Sequence, residues 1–197
     1  MKKISSITLL TITLTASQAQ TKDKNFGIRV GASYSNMIFS KKFTTAETTG
    51  TVSPKIGWLL GAVLHIPISK KLTLQPEYMI SERRAEVVDS RRNYKLTYFS
   101  FPLFLQYKLT NRLAVLAGPQ ADLLVYSSRR TNGIELNMEH RTEERNINAV
   151  LGFDFKVINS VHLTVHYLKG LSDIGIESNK TEFKYEIVQI SFAAGFK

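Results

Sequence analysis

Residues 150–158, VLGFDFKVI, place two charged side chains, Asp154 and Lys156, inside an otherwise apolar run. Side chains from 146 to 157 sort into two groups at a period of two, the alternation of a β-strand. The apolar group contains Ile147, Ala149, Leu151, Phe153, Phe155 and Val157. The other contains Asn146, Asn148, Gly152, Asp154 and Lys156, with Val150 as the exception. The segment is therefore predicted to be a strand whose faces meet different surroundings.

The same alternation recurs along the chain and predicts about eight strands. It covers segments 26–34, 72–80, 95–109, 112–125, 161–167 and 188–196. A further segment, 56–68, is apolar on both faces, the smaller face carrying Gly57, Gly61 and His65. Tight turns fall within 67–73, 108–114 and 157–163, and they alternate with longer charged links at 38–55, 82–93, 127–145 and 172–182. Short turns are therefore expected at one rim and long loops at the other, two of the links being hairpins with tips at 89–90 and 131–133.

The size of the side chains distinguishes a membrane barrel from a soluble one. A soluble barrel turns its continuous apolar face inward, whereas a membrane barrel turns that face to lipid and keeps a polar lumen. Here the apolar face carries the bulky rings, including Phe99, Phe101, Phe153, Phe155 and Phe192, for which an eight-stranded interior has little room. We predict an all-β fold, a transmembrane antiparallel up-and-down β-barrel with a polar lumen and an apolar, lipid-facing exterior.

The N-terminus and the composition indicate export. Lys2 and Lys3 precede an apolar run at 4–14, and Ser17 and Ala19 are small residues before a cleavage point, as in a secretory signal peptide. This predicts a signal peptide over 1–19 and a barrel domain over 20–197. The chain has no cysteine and a formal net charge of +10. Disulfides are thereby excluded, and for an exported protein the positive charge favours anionic lipid or surface sugars over nucleic acid.

Polar and charged residues on the smaller face predict a filled lumen. Acids and bases enclosed together can neutralise one another, so these residues are expected to form a structural plug or, alternatively, a gate. The group is Arg29, Glu77, Lys108, Gln120, Asp122, Asp154, Lys156 and His166. We predict no catalytic residues, metal site or cofactor.

Two further groups are expected on the outside. Arginine pairs in the long links are candidates for contacts with lipid phosphates at the outer rim, namely Arg83, Arg84, Arg91, Arg92, Arg129 and Arg130. Aromatic side chains at the ends of the apolar band are candidates for interfacial girdles, namely Tyr34, Trp58, Tyr78, Tyr107 and Tyr126.

Four segments resemble a known family: SQAQ at 17–20, NFGIRVGASYSN at 25–36, LQPEYMIS at 74–81 and ISFAAGF at 190–196. Together they are similar to the PorT-like outer-membrane β-barrel proteins of Bacteroidetes-type bacteria. The resemblance implies an eight-stranded outer-membrane barrel without established chemistry, whose namesake is linked to protein secretion. One departure is that Phe196 is followed by Lys197, whereas such barrels commonly end on an aromatic residue.

These features favour a non-catalytic role in the outer membrane of a Gram-negative bacterium, reached through a cleaved signal peptide. The role is structural, a surface interaction, or accessory to envelope or secretion machinery. The expected partners are outer-membrane lipid, lipopolysaccharide and envelope or secretion proteins. A narrow channel or small-solute transporter is the first alternative. A lipid A-modifying enzyme is the second, although its candidates, Ser127, Ser128 and His140, lack a supporting motif.

Overall fold

The computed structural model describes residues 25–39, 52–87, 92–131, 134–137, 145–172, 174–176 and 181–196. Within these ranges the chain contains no helix long and apolar enough to cross a membrane. The described residues form ten β-strands: β1 (Asn25–Phe39), β2 (Val52–Pro67), β3 (Leu72–Val87), β4 (Arg92–Lys108), β5 (Leu113–Thr131), β6 (Ile134–Asn137), β7 (Arg145–Ile158), β8 (Val161–Gly170), β9 (Ile174–Ile176) and β10 (Thr181–Phe196).

Eight of these strands close into a ring. Strands β1, β2, β3, β4, β5, β7, β8 and β10 pair antiparallel with their neighbours in chain order, and β1 pairs with β10. The closing ladder runs from Phe26 opposite Phe196 to Phe39 opposite Phe183. Closure leaves no open edge in this ring, so the backbone groups of its strands are satisfied internally. The predicted antiparallel up-and-down barrel is confirmed.

Three tight turns define one end of the barrel, which we call the short-turn rim, at 68–71, 109–112 and 159–160. The first two turns share one local device. The Ser69 hydroxyl accepts a hydrogen bond from the Leu72 amide at 3.1 Å, and the Thr110 hydroxyl accepts one from the Leu113 amide at 3.0 Å. A hydroxyl side chain that caps its own turn in this way fixes where the next strand begins.

The opposite end, the long-loop rim, is built largely from extensions of the wall. The β3–β4 ladder continues to Val87 opposite Arg92, and β5 and β6 form a hairpin ending at Thr131 opposite Ile134. Both predicted hairpins are therefore confirmed, although residues 88–91 and 132–133 lie outside the described ranges. The predicted 172–182 link also contains β9, which pairs with the start of β10.

The two faces of the wall explain why charged and apolar side chains alternate in residues 150–158. Phe153 is 53% exposed and Phe155 is 43% exposed on the outer surface, whereas Asp154 between them is 3% exposed. The exterior carries apolar side chains on all eight strands of the ring, and the interior holds most of the buried polar ones. The predicted apolar exterior and polar lumen are present.

Inward-facing glycines allow the strands to bend into a narrow ring. A Cβ atom at Gly118 would lie 2.0 Å from the carbonyl oxygen of Leu103, and one at Gly57 would lie 1.8 Å from that of Glu82. Real Cβ atoms do not approach backbone oxygens so closely. Glycine at these positions therefore permits a curvature that any larger residue would oppose.

Candidate functional site

The lumen is the main candidate site. Its layer nearer the short-turn rim, which we call the lower layer, contains a buried ion pair. Arg29 of β1 and Glu77 of β3 form a salt bridge with Nη2 and Oε1 2.9 Å apart. Gly61 of β2 lies opposite Arg29 in the ladder and presents no side chain between the partners. The guanidinium also donates to Ser191 Oγ at 2.8 Å, and Gln75 Nε2 donates to Glu77 at 2.6 Å. The pair thus links three parts of the wall.

A second buried ion pair lies nearer the long-loop rim. Arg83 of β3 donates to Asp122 of β5, and both side chains are fully enclosed. Gln120 Nε2 donates to the other carboxylate oxygen of Asp122 at 2.8 Å, and Asn148 also donates to this carboxylate. Asp122 therefore collects three donors, which offset the cost of enclosing its charge.

The Arg83 guanidinium also stacks on aromatic rings that cross the lumen. Its Cζ atom lies 4.4 Å from the ring centroid of Tyr98 on β4 and 5.5 Å from that of Tyr185 on β10. These rings belong to a buried apolar cluster comprising Leu96, Tyr98, Phe104, Leu116, Val150, Leu168, Tyr185 and Ile187. We call this cluster the lumen seal, because its buried side chains come from β4, β5, β7, β8 and β10 and together occupy the barrel interior.

The lumen widens into a cavity of about 440 Å³ at the short-turn rim. On its wall the Asp154 carboxylate contacts His162 Nδ1 at 2.7 Å and accepts a hydrogen bond from Thr164 at 3.1 Å. The His65 and His162 rings are 6.0 Å apart between centroids. Cationic side chains complete the lining, namely Lys71, Lys108, Arg112 and Lys156. We call this space the vestibule.

The structure buries six of the eight predicted lumen residues, namely Arg29, Glu77, Gln120, Asp122, Asp154 and His166. Lys108 and Lys156 were expected beside them, but Lys108 is exposed and Lys156 is half-buried, both lining the vestibule. They lie close to the ends of their strands, where the inward face opens to solvent. Among the described residues, no group of three or more His, Asp and Glu side chains is arranged to hold a metal ion.

The prediction for one rim residue is wrong. Arg83 was expected at the outer rim, but its side chain is fully buried in the lumen. The prediction placed 82–93 in a charged hairpin beyond the apolar band and counted its arginines as rim residues, whereas Arg83 lies on the same inward phase of β3 as Glu77 and Ser81. Extending the alternation by two residues beyond Ser81 would have identified it.

The other predicted rim arginines have different positions. Arg84 and Arg130 are exposed, Arg84 donating to Glu82, and Arg129 is half-buried. Arg92 begins β4, its side chain lying outside the described part, and Arg91 falls outside the described ranges. The proposed contacts with lipid phosphates stay a prediction.

The predicted girdle residues face outward but at several heights. Tyr34 is 52% exposed, Trp58 45% and Tyr107 43%, while Tyr126 is half-buried. Tyr78 is 57% exposed and makes an edge-to-face contact with Phe101, their centroids 5.7 Å apart. Since Tyr78 is six residues along β3 from the short turn, or roughly 20 Å at the usual rise per residue, it belongs to the middle of the apolar band.

Sequence reasoning missed the large residues of the lumen seal. Tyr98 and Phe104 lie on the inward phase of β4, but the argument that a narrow interior excludes bulky rings left them aside. Beside Phe104 the wall strands approach each other closely, since a Cβ at Gly118 would come within 3.1 Å of the Phe104 Cα. The sequence signal that could have located these rings is the combination of large and small inward side chains at the same height in the barrel.

A closed antiparallel ring with an apolar exterior and a filled polar lumen is the architecture of an outer-membrane barrel. Sequence comparison gives the same answer: residues 17–175 match the family described as "Outer membrane protein beta-barrel domain". The chain belongs to this family, and its location is the outer membrane. No curated protein sequence matches the chain.

Solved structures share the fold at low sequence identity. Neisserial surface protein A is 12% identical with a TM-score of 0.62, over 87% of this chain and 97% of that one. Ail, the attachment invasion locus protein of Yersinia pestis, in complex with the heparin analogue sucrose octasulfate, is 9% identical with a TM-score of 0.51, over 89% of this chain and 100% of that one. AlkL is 14% identical with a TM-score of 0.50, over 100% of this chain and 97% of that one. At these identities the likeness concerns the fold alone.

Proposed function

We propose that the protein is a non-catalytic, non-conducting outer-membrane barrel whose long-loop rim is an interaction surface for envelope or secretion-machinery partners. The observation that carries this proposal is the lumen seal, which fills the interior beside the enclosed Arg83–Asp122 pair. A barrel of eight strands has an interior that side chains are able to fill, and here large ones occupy it. What the protein contacts is then presented at its rims.

Burial of the serine candidates argues against the lipid A-modifying alternative. Ser127 is 2% exposed and Ser128 is 3% exposed, so both hydroxyls are shielded from solvent and lipid. His140, the third candidate, lies outside the described ranges. A nucleophile acting on lipid A needs an approach from the lipid surface and a base within hydrogen-bond reach.

Single-channel recording in planar bilayers tests the proposal against the channel alternative. The wild-type protein is expected to give no conductance steps, because the lumen seal blocks water and ions. The Y98A/Y185A variant removes two rings from the seal and is expected to give discrete steps. A heat-shift gel and circular dichroism check that both proteins are folded. Discrete steps from the folded wild-type barrel would instead make it a channel.

The partner is proposed from the PorT-like segments, NFGIRVGASYSN and LQPEYMIS among them, which favour an accessory role in secretion. Cross-linking in intact cells, followed by mass spectrometry, tests this assignment. Cysteines are introduced in the β5–β6 hairpin and, in a second variant, in the 109–112 turn, and cross-links to envelope proteins are expected from the hairpin. Cross-links confined to the short-turn rim would contradict a surface role for the long loops.

A further inference from the structure

We propose that the vestibule is a binding site for a phosphate compound carrying at least two negative charges. It lies at the opposite end of the barrel from the proposed interaction surface and does not depend on that proposal. Its volume, about 440 Å³, is within the range of small-molecule pockets.

The cations of the vestibule are held together by the backbone in two pairs. The Lys108 amide donates to the Lys71 carbonyl at 2.8 Å, and the Lys156 amide donates to the Arg112 carbonyl at 2.8 Å. Each bond places two positive side chains on adjacent chain segments at the cavity edge. Like charges side by side repel, so this arrangement costs stability in the absence of an anion.

Asp154, the acid among the described residues that line the vestibule, does not neutralise them. Both Asp154 oxygens are engaged, one with His162 and the other with Thr164. Within the described ranges, the side chains of Lys71, Lys108, Arg112 and Lys156 have no ion-pair partner. By contrast, Arg29 and Arg83 deeper in the lumen each face a carboxylate.

The shape of the site concentrates this charge. A cleft lined by one sign of charge with low-dielectric walls raises the local concentration of the opposite ion. Lysine ammonium groups act as point charges for phosphate, and an arginine adds a planar fork that binds two oxygens. The convergence of two cation pairs favours a diphosphate or two adjacent phosphates over a single charge.

Calorimetric titration with inorganic pyrophosphate tests the site on the full barrel in phosphatidylcholine nanodiscs. Binding is expected in the wild type and is expected to weaken with added salt. The K108Q/K156Q variant removes one cation from each pair, and its affinity should fall about tenfold or more, tenfold being about 1.4 kcal/mol. The matched control, K95Q/K169Q, removes the same charge from the outer surface and should change affinity less than about twofold.

A second titration in nanodiscs containing phosphatidylglycerol distinguishes two sources of phosphate. Weaker apparent pyrophosphate affinity there, absent in K108Q/K156Q, identifies lipid headgroups as competitors for the same site, whereas unchanged affinity identifies a soluble compound. All variants are checked for folding by heat-shift gels. The proposal is wrong if the folded wild type binds no pyrophosphate in phosphatidylcholine. It is equally wrong if the control variant loses as much affinity as K108Q/K156Q.

Discussion

The two halves of the lumen are built from the same alternating strands but enclose charge in opposite ways. Near the long-loop rim, Arg83 and Asp122 are fully enclosed, paired and surrounded by the lumen seal. At the short-turn rim, the vestibule gathers cations that have no carboxylate partner in the described part of the chain. The lumen is therefore closed near the long-loop rim, whereas the vestibule, outside the enclosed Arg29–Glu77 pair, leaves charge available to a ligand.

This difference shows that strand number does not by itself decide whether a small barrel is closed. Both halves have the same eight strands around them. The upper half is filled because Tyr98 and Tyr185 reach across it from β4 and β10, whereas inward residues of the lower rim are long, polar and near the strand ends. Side-chain size at each height thus determines where water enters.

The largest effect is expected from D122A in the upper half. Removing the carboxylate leaves the Arg83 charge enclosed without its counter-ion and leaves Gln120 and Asn148 without their acceptor. We expect a loss of roughly 3–5 kcal/mol in the free energy of unfolding, because an unpaired buried charge is not rehydrated. Urea unfolding in phosphatidylcholine vesicles measures it.

The matched control is D154A in the vestibule. Its partner His162 is 24% exposed, so water is able to replace part of the lost interaction. A loss of about 1–2 kcal/mol is expected, the usual value for the two hydrogen bonds that Asp154 makes with His162 and Thr164. Equal losses in the two variants would show that the halves do not differ in how they shield charge.

An intermediate effect is expected from G118A, which tests the close approach of β5 to β4. The added methyl would meet the Leu103 carbonyl oxygen at 2.0 Å, so the strands have to move apart. Overpacking of this kind costs about 1–3 kcal/mol of unfolding free energy.

The control for close approach is G195A at the short-turn rim, where the nearest atom to an added Cβ is 3.8 Å away. The same vesicle assay should show a change below about 0.5 kcal/mol. If G118A is as stable as G195A, close approach of the wall strands does not limit the fold.

Most of the fold could be predicted from the period of two, because a strand alternates its side chains whatever surrounds it. The segment containing Asp154 and Phe155 was enough to separate the lumen from the exterior. The prediction was wrong at a strand end: Arg83 was assigned to the outer rim as part of a charged link, although its phase matches that of Glu77.

The pairing within the lumen could not be predicted from the sequence. Arg29 bonds Glu77 across an intervening strand, and that choice depends on Gly61 having no side chain. Likewise, the cation pairs of the vestibule depend on the register of β3 against β4 and of β5 against β7. The alternation of side chains does not determine that register. The alternation predicted that acids and bases share the inward face. Which of them form pairs depends on the stagger of the strands around the ring, and the sequence does not show that stagger.

The smallest effect is expected at the long-loop end of β2, from K55A. Lys55 and Glu86 form an ion pair at 2.6 Å with side chains 43% and 27% exposed, so the charges are partly hydrated before they meet. We expect a loss of about 0–1 kcal/mol in unfolding free energy, screened further by salt. Urea unfolding at low and high salt measures this, with E86A as the reciprocal variant and K55A/E86A closing the cycle. A coupling energy near that expected for the Arg83–Asp122 pair would mean that water screens this end of β2 little in spite of its exposure, and that the closed part of the barrel extends farther toward the long-loop rim.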